Sequence, residues 1–264
     1  MKGRSVGLRI GPALLSAVLV AGCAGQSDEL TVYAAASLRD AFTELAAAYE
    51  NETGVALVLA FDASSALRAQ IEQGAPADVF ASADERNPQL LVDAGLTAGA
   101  AHPIPFASNR LAIVVPSEGS SAVEDWRDLA RPGVRIVAAG DEVPVTRYAN
   151  QLVDYLADLP GAPGRFEDAV AANIVSREDN VRAALSKVEL GEGDAAIVYA
   201  TDAAASSAVT AVPFPTEAEV TATYTAVVIA GSDTTAEADR FVDWLTLAPA
   251  GDILASHGLQ PPPP

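Results

Sequence analysis

The feature that most constrains this chain is a repeated alternation of apolar runs and amphipathic segments. LTVYAAAS (30–37) reads as a buried strand. LRDAFTELAAAYENETG (38–54) then places Leu38, Ala41, Phe42, Leu45, Ala48 and Tyr49 at helical spacing and ends on Gly54. VALVLAF (55–61) is a second strand, SSALRAQIEQG (64–74) a short helix with a glycine stop, ADVFASA (77–83) a third strand and ERNPQLLVDAGL (85–96) a third helix. Strands that alternate with helices predict an α/β fold whose strands run parallel through right-handed crossovers.

The pattern resumes after a break. NRLAIVVPSEG (109–119) contains a strand, WRDLARPG (126–133) a short helix, VRIVAAG (134–140) a strand and VPVTRYANQLVDYLADL (143–159) a long helix. FEDAVAANI is a short helix or turn, EDNVRAALSKVELG (178–191) a helix, and AAIVYATDA (195–203), TAVPFP (210–215) and TATYTAVVIAG (221–231) are strands. TAEADRFVDWLTLAPAGDILASHG (235–258) reads as one closing helix. Two α/β units with no Pro/Ser-rich linker predict two lobes joined by short strands, with hinge candidates near 103–110 and 219–226. A single continuous doubly wound sheet is the alternative. The PPPP tail (261–264) can enter neither a helix nor a sheet interior and reads as disordered.

The first residues differ from the rest. MKGRSVGLRI carries Lys2, Arg4 and Arg9, and an apolar stretch too short to span a membrane comfortably follows it. It runs into Val20-Ala21-Gly22-Cys23, which resembles a bacterial lipobox. Cys23 is the only cysteine, so acylation there anchors a soluble domain to a membrane. A plain secretory leader with a chance cysteine is the other reading. A lone cysteine also excludes internal disulfides and multi-cysteine metal sites.

Without residues 1–22 the chain holds 13 basic residues against 35 acidic ones, a formal charge of −22. No basic patch exists to meet phosphates, so nucleic acid is excluded as a partner. Enzymatic signatures are also missing. Neither Ser37 nor Ser64 sits in a GxSxG elbow, neither His102 nor His257 has an evident nucleophile partner, and no Gly-rich phosphate loop occurs. The chain reads as a non-enzyme without a cofactor.

In open α/β sheets, ligands bind beyond the carboxyl ends of strands, where helices begin. Four such junctions stand out: AAASL with Ser37, FDASSAL with Ser64 and Ser65, GDEVPVTRYA with Pro144, and SREDNVRAAL, where Asp179 or Asn180 can cap a helix begun at Val181. Each offers free N–H groups and the positive end of a helix dipole. A serine at such a start is ordinarily an N-cap, and Ser64 is expected to cap its helix and also to hold a ligand, with Ser65 supporting the turn. Two serines at adjacent junctions also form convergent donors for a neutral oxyanion site, and buried donors act at contact despite the negative net charge.

The runs VYAAASLRDAF, FDASSALRAQIEQGAPADVFASAD, GDEVPVTRYA and EDNVRAALSKVELGEGDAAIVYATDA together resemble the molybdate-binding proteins of bacterial ABC transporters, from about residue 30 to 258. The resemblance implies a type II periplasmic-binding-protein fold, two α/β lobes with mixed, mostly parallel sheets joined by a two-strand hinge. Lobe I would comprise 30–107 and 225–260, lobe II 108–224, after a signal peptide (1–22) and a lipid-anchored tether (23–29). It implies a molybdate or tungstate dianion held by Ser37 and Ser64 from one lobe and by Val145, Val181 and Tyr199 from the other. The metal enters only as that oxyanion. Sulfate or another tetrahedral oxyanion is the alternative ligand. The implied protein is a monomer on the extracytoplasmic face of the cell membrane, in a periplasm or at the cell surface, which delivers its anion to a membrane permease. Three departures from the family stand out. Asp62 replaces a small neutral residue and is expected to point outward. Thr225 replaces a frequent proline. Thr146-Arg147 replace smaller or apolar residues, with Arg147 expected to be solvated on its helix, or else an outer-shell positive charge.

Overall fold

A computed structural model describes Gly3 and residues 29–99, 102–118 and 122–264. Apart from Gly3, the leader, Cys23 and the tether as far as Asp28 lie outside the described residues. Strand β1 (Glu29–Ala35) passes through a 3₁₀ turn (Ala36–Leu38) into α1 (Arg39–Thr53). Gly54 ends that helix at φ +79°, a left-handed cap that glycine adopts without a Cβ clash. β2 (Ala56–Asp62), α2 (Ser64–Glu72), β3 (Val79–Ser82) and α3 (Arg86–Asp93) complete the first alternation. The second runs β4 (Ile104–Pro116), a 3₁₀ turn (Trp126–Ala130), β5 (Ile136–Ala139), α4 (Pro144–Ala157), α5 (Phe166–Ala172), β6 (Ile174–Glu178), α6 (Val181–Glu189), β7 (Ala195–Tyr199), α7 (Ala200–Ala204) and β8 (Val209–Val212). β9 (Thr221–Val228) leads back to α8 (Thr235–Leu245) and α9 (Ala248–Ser256).

The strand order β2-β1-β3-β9-β4-β7-β5-β6 explains the two lobes. β1 lies parallel to β2 and β3, and β5 lies parallel to β6 and β7. Between these parallel sets run β4 and β9, antiparallel to each other and to their neighbours. The first half of β4, Ile104 to Arg110, pairs with β9, whereas Leu111 to Pro116 pairs with β7 and β8. The chain therefore crosses to the second lobe on β4 and returns on β9. This is the type II periplasmic-binding arrangement, with mixed sheets and two connecting strands. It places the carboxyl ends of β1, β2 and β3 opposite the starts of α4 and α6.

The C-terminal helices pack back on the first lobe. Tyr49 of α1 meets Phe241 and Trp244 of α8 edge-on at ring distances of 5.0 and 5.1 Å. Buried Leu67, Ile71, Phe80, Leu91 and Val227 fill a smaller cluster beneath α2 and α3. Burying such side chains contributes about 1.5–3 kcal/mol each relative to exposure.

Several elements differ from the sequence reading. β4 starts at Ile104, five residues earlier than the apolar run suggests, because Pro105 pairs with Thr225 beside a register shift. The expected helix at 126–133 is a short 3₁₀ turn capped by Asp125. β6 was missed: its side chains alternate between half-buried and exposed, so it carries no continuous apolar run. The strand expected to reach Ala203 stops at Tyr199 and turns into α7. The single closing helix is two. Pro249 has no N–H to donate back to Leu245, so α8 ends and α9 begins with that proline in its first turn. The proline tail is tied at its root, where Ser108 Oγ donates to the Pro261 carbonyl at 2.8 Å.

Candidate anion-binding site

Two turns of the first lobe, and two helix starts and the end of β7 in the second, carry the residues singled out in the sequence. All five are buried: Ser37 is 6 % exposed, Ser64 1 %, Val145 2 %, Val181 3 % and Tyr199 1 %. Ser37 sits in the 3₁₀ turn after β1, and Ser64 is the first residue of α2. Val145 follows Pro144 in the first turn of α4, and Val181 opens α6. First-turn amides have no helical acceptor, so Val145 and Val181 present backbone N–H donors. Asn180 caps α6 by accepting from the Ala183 amide at 3.1 Å, which settles the choice between Asp179 and Asn180.

Ser64 is not an N-cap. The N-cap of α2 is Ala63, which makes no side-chain cap bond, and Ser64 Oγ instead accepts the Ala83 amide at 3.0 Å. A serine hydroxyl has one hydrogen, and accepting from Ala83 leaves that hydrogen available to donate. Ser37 Oγ lies 2.9 Å from the Tyr224 hydroxyl. Tyr224 in turn lies 3.3 Å from Asn109 Nδ2. Tyr199 ends β7 with its ring 5.7 Å from that of Tyr224. Its hydroxyl is buried and has no hydrogen-bond partner among the described residues. Burial, followed by the nearby Tyr224, Tyr148, Asp84 and Asp202, pushes its pKa well above the ordinary phenol value. The phenol therefore keeps its proton and stays a donor.

Polar contacts bind the two lobes around these residues. Asp62, two residues before Ser64, accepts from Asn180 Nδ2 at 3.2 Å and from the Ala63 amide at 2.8 Å. It does not point outward as expected; it faces the second lobe, where these N–H partners occupy its carboxylate. Arg182 joins Asp40, three residues after Ser37, at 2.7 Å and also reaches buried Asp202 at 2.6 Å. Burial pushes Asp202 up to about 6, against the pull of Arg182. Arg147 is not a freely solvated helix residue: it pairs with Asp84, a fully buried carboxylate directly after Ala83. Asp84 also accepts from Ser82 Oγ at 2.9 Å and from the Asn87 amide at 3.0 Å. Thr225 Oγ1 donates to the Asp84 carbonyl at 2.9 Å, so β9 holds the same turn.

The structure thus gathers the immediate neighbours of all five residues into one interlobe zone. The supporting set of Asn109, Tyr224, Asp84 and Arg182 was missed in the sequence. Asn109 and Tyr224 lie within strands, and a polar residue buried in an otherwise apolar strand is the only signal that marks them. A groove of about 620 Å³ is lined in part by Glu85, Arg86, His102 and Arg147, the arginine that pairs with Asp84. Among the described residues no cluster of His, Cys, Asp and Glu is arranged to hold a metal ion.

A profile of the family described as bacterial extracellular solute-binding protein matches residues 30–260. The chain belongs to this family of solute-binding proteins. The molybdate-binding protein ModA of Mycobacterium tuberculosis H37Rv is 36 % identical over 98 % of this chain and 100 % of its own. Among solved structures, the periplasmic molybdate-binding protein of Azotobacter vinelandii matches at TM-score 0.74 and 24 % identity, over 89 % of this chain and 100 % of its own. The sulfate-binding protein SubI of Mycobacterium tuberculosis matches at TM-score 0.76 and 24 % identity, over 89 % of this chain and 87 % of its own. These structural matches establish the same fold for this solute-binding protein but do not choose between anions. Among its described residues no helix is long and apolar enough to cross a membrane.

Proposed function

We propose that this solute-binding protein captures molybdate and tungstate between its lobes and delivers them to an ABC permease. Ser37, Ser64, Val145, Val181 and Tyr199 are the proposed ligands. The observation that carries this reading is the buried Tyr199 hydroxyl, a donor without an acceptor among the described residues, in a zone bordered by a serine hydroxyl and two first-turn helix amides. An unpaired buried hydroxyl costs about 1–3 kcal/mol, and an anion that only accepts hydrogen bonds relieves that cost. The ModA relative, covered end to end, supports molybdate as that anion.

Molybdate is a proton-free dianion at neutral pH, so every donor finds an acceptor. Phosphate keeps a proton near pH 7 and would set it against a donor. Sulfate is also proton-free, and its discrimination rests on size, since rigid helix starts set the radius of the pocket. The donors come from both lobes, so the anion closes them, with β4 and β9 as the hinge between lobe I (30–107, 225–260) and lobe II (108–224). The protein acts as a monomer without enzymatic activity. His257 is committed to Glu44 at 2.8 Å, and no histidine bonds to Ser37 or Ser64 among the described residues. Acylated Cys23 would hold it on the extracytoplasmic face of the membrane.

The test is calorimetric titration of the mature chain with molybdate, tungstate, sulfate and phosphate. Tight binding of the first two alone is expected. Sulfate bound as tightly as molybdate would make the protein a general oxyanion carrier, and no heat with any anion would remove the reading.

A further inference from the structure

A chain of buried hydrogen bonds ends on Ser37, and its direction can be worked out proton by proton. Asn109 Oδ1 accepts the Arg110 amide at 2.9 Å, and an amide N–H can only donate. The side-chain amide is thereby oriented, with Nδ2 turned to Thr201 Oγ1 at 2.8 Å and to the Tyr224 hydroxyl at 3.3 Å. Nδ2 carries two hydrogens and no acceptor, so it donates to both. Tyr224 therefore accepts from Asn109, and its one hydrogen is directed to its other partner, Ser37 Oγ at 2.9 Å. Any other direction leaves a phenol hydrogen unpaired in the interior, since Tyr224 is 0 % exposed and Asn109 1 % exposed. Ser37 Oγ, now an acceptor toward Tyr224, has its own hydrogen free to point elsewhere.

We propose that Asn109 and Tyr224 are positioning residues that lock the Ser37 hydroxyl as a donor and make the site reject oxyanions that carry a proton. This rests on the molybdate reading and goes beyond it. A lone serine hydroxyl can rotate and accept the proton of a hydrogen oxyanion, so donors alone do not guarantee rejection. A hydroxyl that already accepts from Tyr224 has one of its two lone pairs filled, so its hydrogen is turned away from Tyr224 and only one lone pair stays open to an incoming proton. The lock sits on β4 and β9, the two strands that cross between the lobes, and Thr201 of α7 closes its far end. Tyr224 also packs against Tyr199, so one side chain supports a donor from each lobe.

The experiment compares molybdate with arsenate, a tetrahedral oxyanion larger than sulfate that keeps a proton at neutral pH. Affinities are measured for the wild type, Tyr224→Phe, Ser37→Ala and the double variant, with thermal melting of the ligand-free forms as a check on folding. In Tyr224→Phe molybdate affinity should fall about tenfold. Arsenate affinity should fall less or rise, so the molybdate-to-arsenate ratio shrinks. In the Ser37→Ala background, Tyr224→Phe should no longer change that ratio, because there is no hydroxyl left to orient. An equal loss for both anions, or a ratio shift that persists without Ser37, overturns the lock and leaves Tyr224 a packing residue. If Tyr224→Phe does not fold, Asn109→Ala decides. It should shift the ratio in the same direction by a smaller factor, and an unchanged ratio overturns the inference. Wild-type protein that binds no molybdate overturns the functional reading itself, which is a different result from wild-type binding with an unshifted ratio in the variants.

Discussion

On the wall built from β1 and β2, both serine hydroxyls are already engaged inside the protein: Ser64 Oγ holds the Ala83 amide and Ser37 Oγ meets Tyr224. On the facing wall, the Tyr199 hydroxyl has no hydrogen-bond partner among the described residues, and the amides of Val145 and Val181 lie in the first turns of their helices. One wall has donors whose orientation is set before an anion arrives. The other has donors whose need for an acceptor is unmet until it does. The difference assigns separate tasks. On the proposed reading the first wall would fix geometry and selectivity, and the second, which gains most from closure, would make closing the lobes dependent on the anion.

The contrast is broken most directly at Ser64. Ser64→Ala should weaken molybdate binding about 100-fold, the upper end for a hydrogen bond to a charged group. It also strips the buried Ala83 amide of its acceptor, at about 1–3 kcal/mol of stability. Titration and chemical denaturation should therefore both move. If stability alone falls, Ser64 is a structural residue and the first wall loses its role.

The second wall should behave in the opposite way. Tyr199→Phe should cost about tenfold in affinity, yet raise the stability of the ligand-free protein by about 1–3 kcal/mol, because the buried hydroxyl it removes has no partner among the described residues. Val181 separates backbone from side chain. Val181→Pro deletes the amide at the first helical position, where proline is tolerated, and Asn180 before it is already extended at φ −153°, ψ 174°. A loss of about tenfold is expected. Val181→Ala keeps the amide and should leave affinity unchanged. Equal losses in the two variants would mean that packing, not the N–H, matters at this position.

How much of this was visible in the sequence follows from what each residue does. The alternation of apolar runs and helical spacing gave the lobes, because burial of a parallel sheet dictates it. Strand β6 was not visible, because an edge strand with half its side chains in solvent has no apolar signature. Ser37 and Ser64 stood out through their place at strand-to-helix junctions, but the expectation that Ser64 caps its helix was wrong. The hydroxyl bonds to Ala83, 19 residues away in sequence, and only the fold brings that amide near. Asn109, Tyr224 and Asp84 were missed for the same reason. Their partners lie in other elements, and pairing across a fold leaves no local pattern. Tyr199 was named through family resemblance, while its significance as an unpartnered donor needed the packing around it.

The smallest expected effect lies at the seam between the walls. Arg147 replaces a residue expected to be small or apolar, and its guanidinium crosses the seam to Asp84. Asp84 is buried, but Ser82 and Asn87 also donate to it, so it stays satisfied when the arginine is lost. The arginine side chain is 38 % exposed, which places the pair among partly screened bridges that contribute little individually. Arg147→Met keeps the apolar stem and removes the charge. Molybdate affinity should then drop about threefold, entirely through faster release, with association unchanged. A bridge that spans the two lobes resists their opening and has no bearing on encounter. If stopped-flow kinetics instead show slower association that recovers at high salt, Arg147 works as a positive lure on a protein of net charge −19, and the seam is a route of entry rather than a latch.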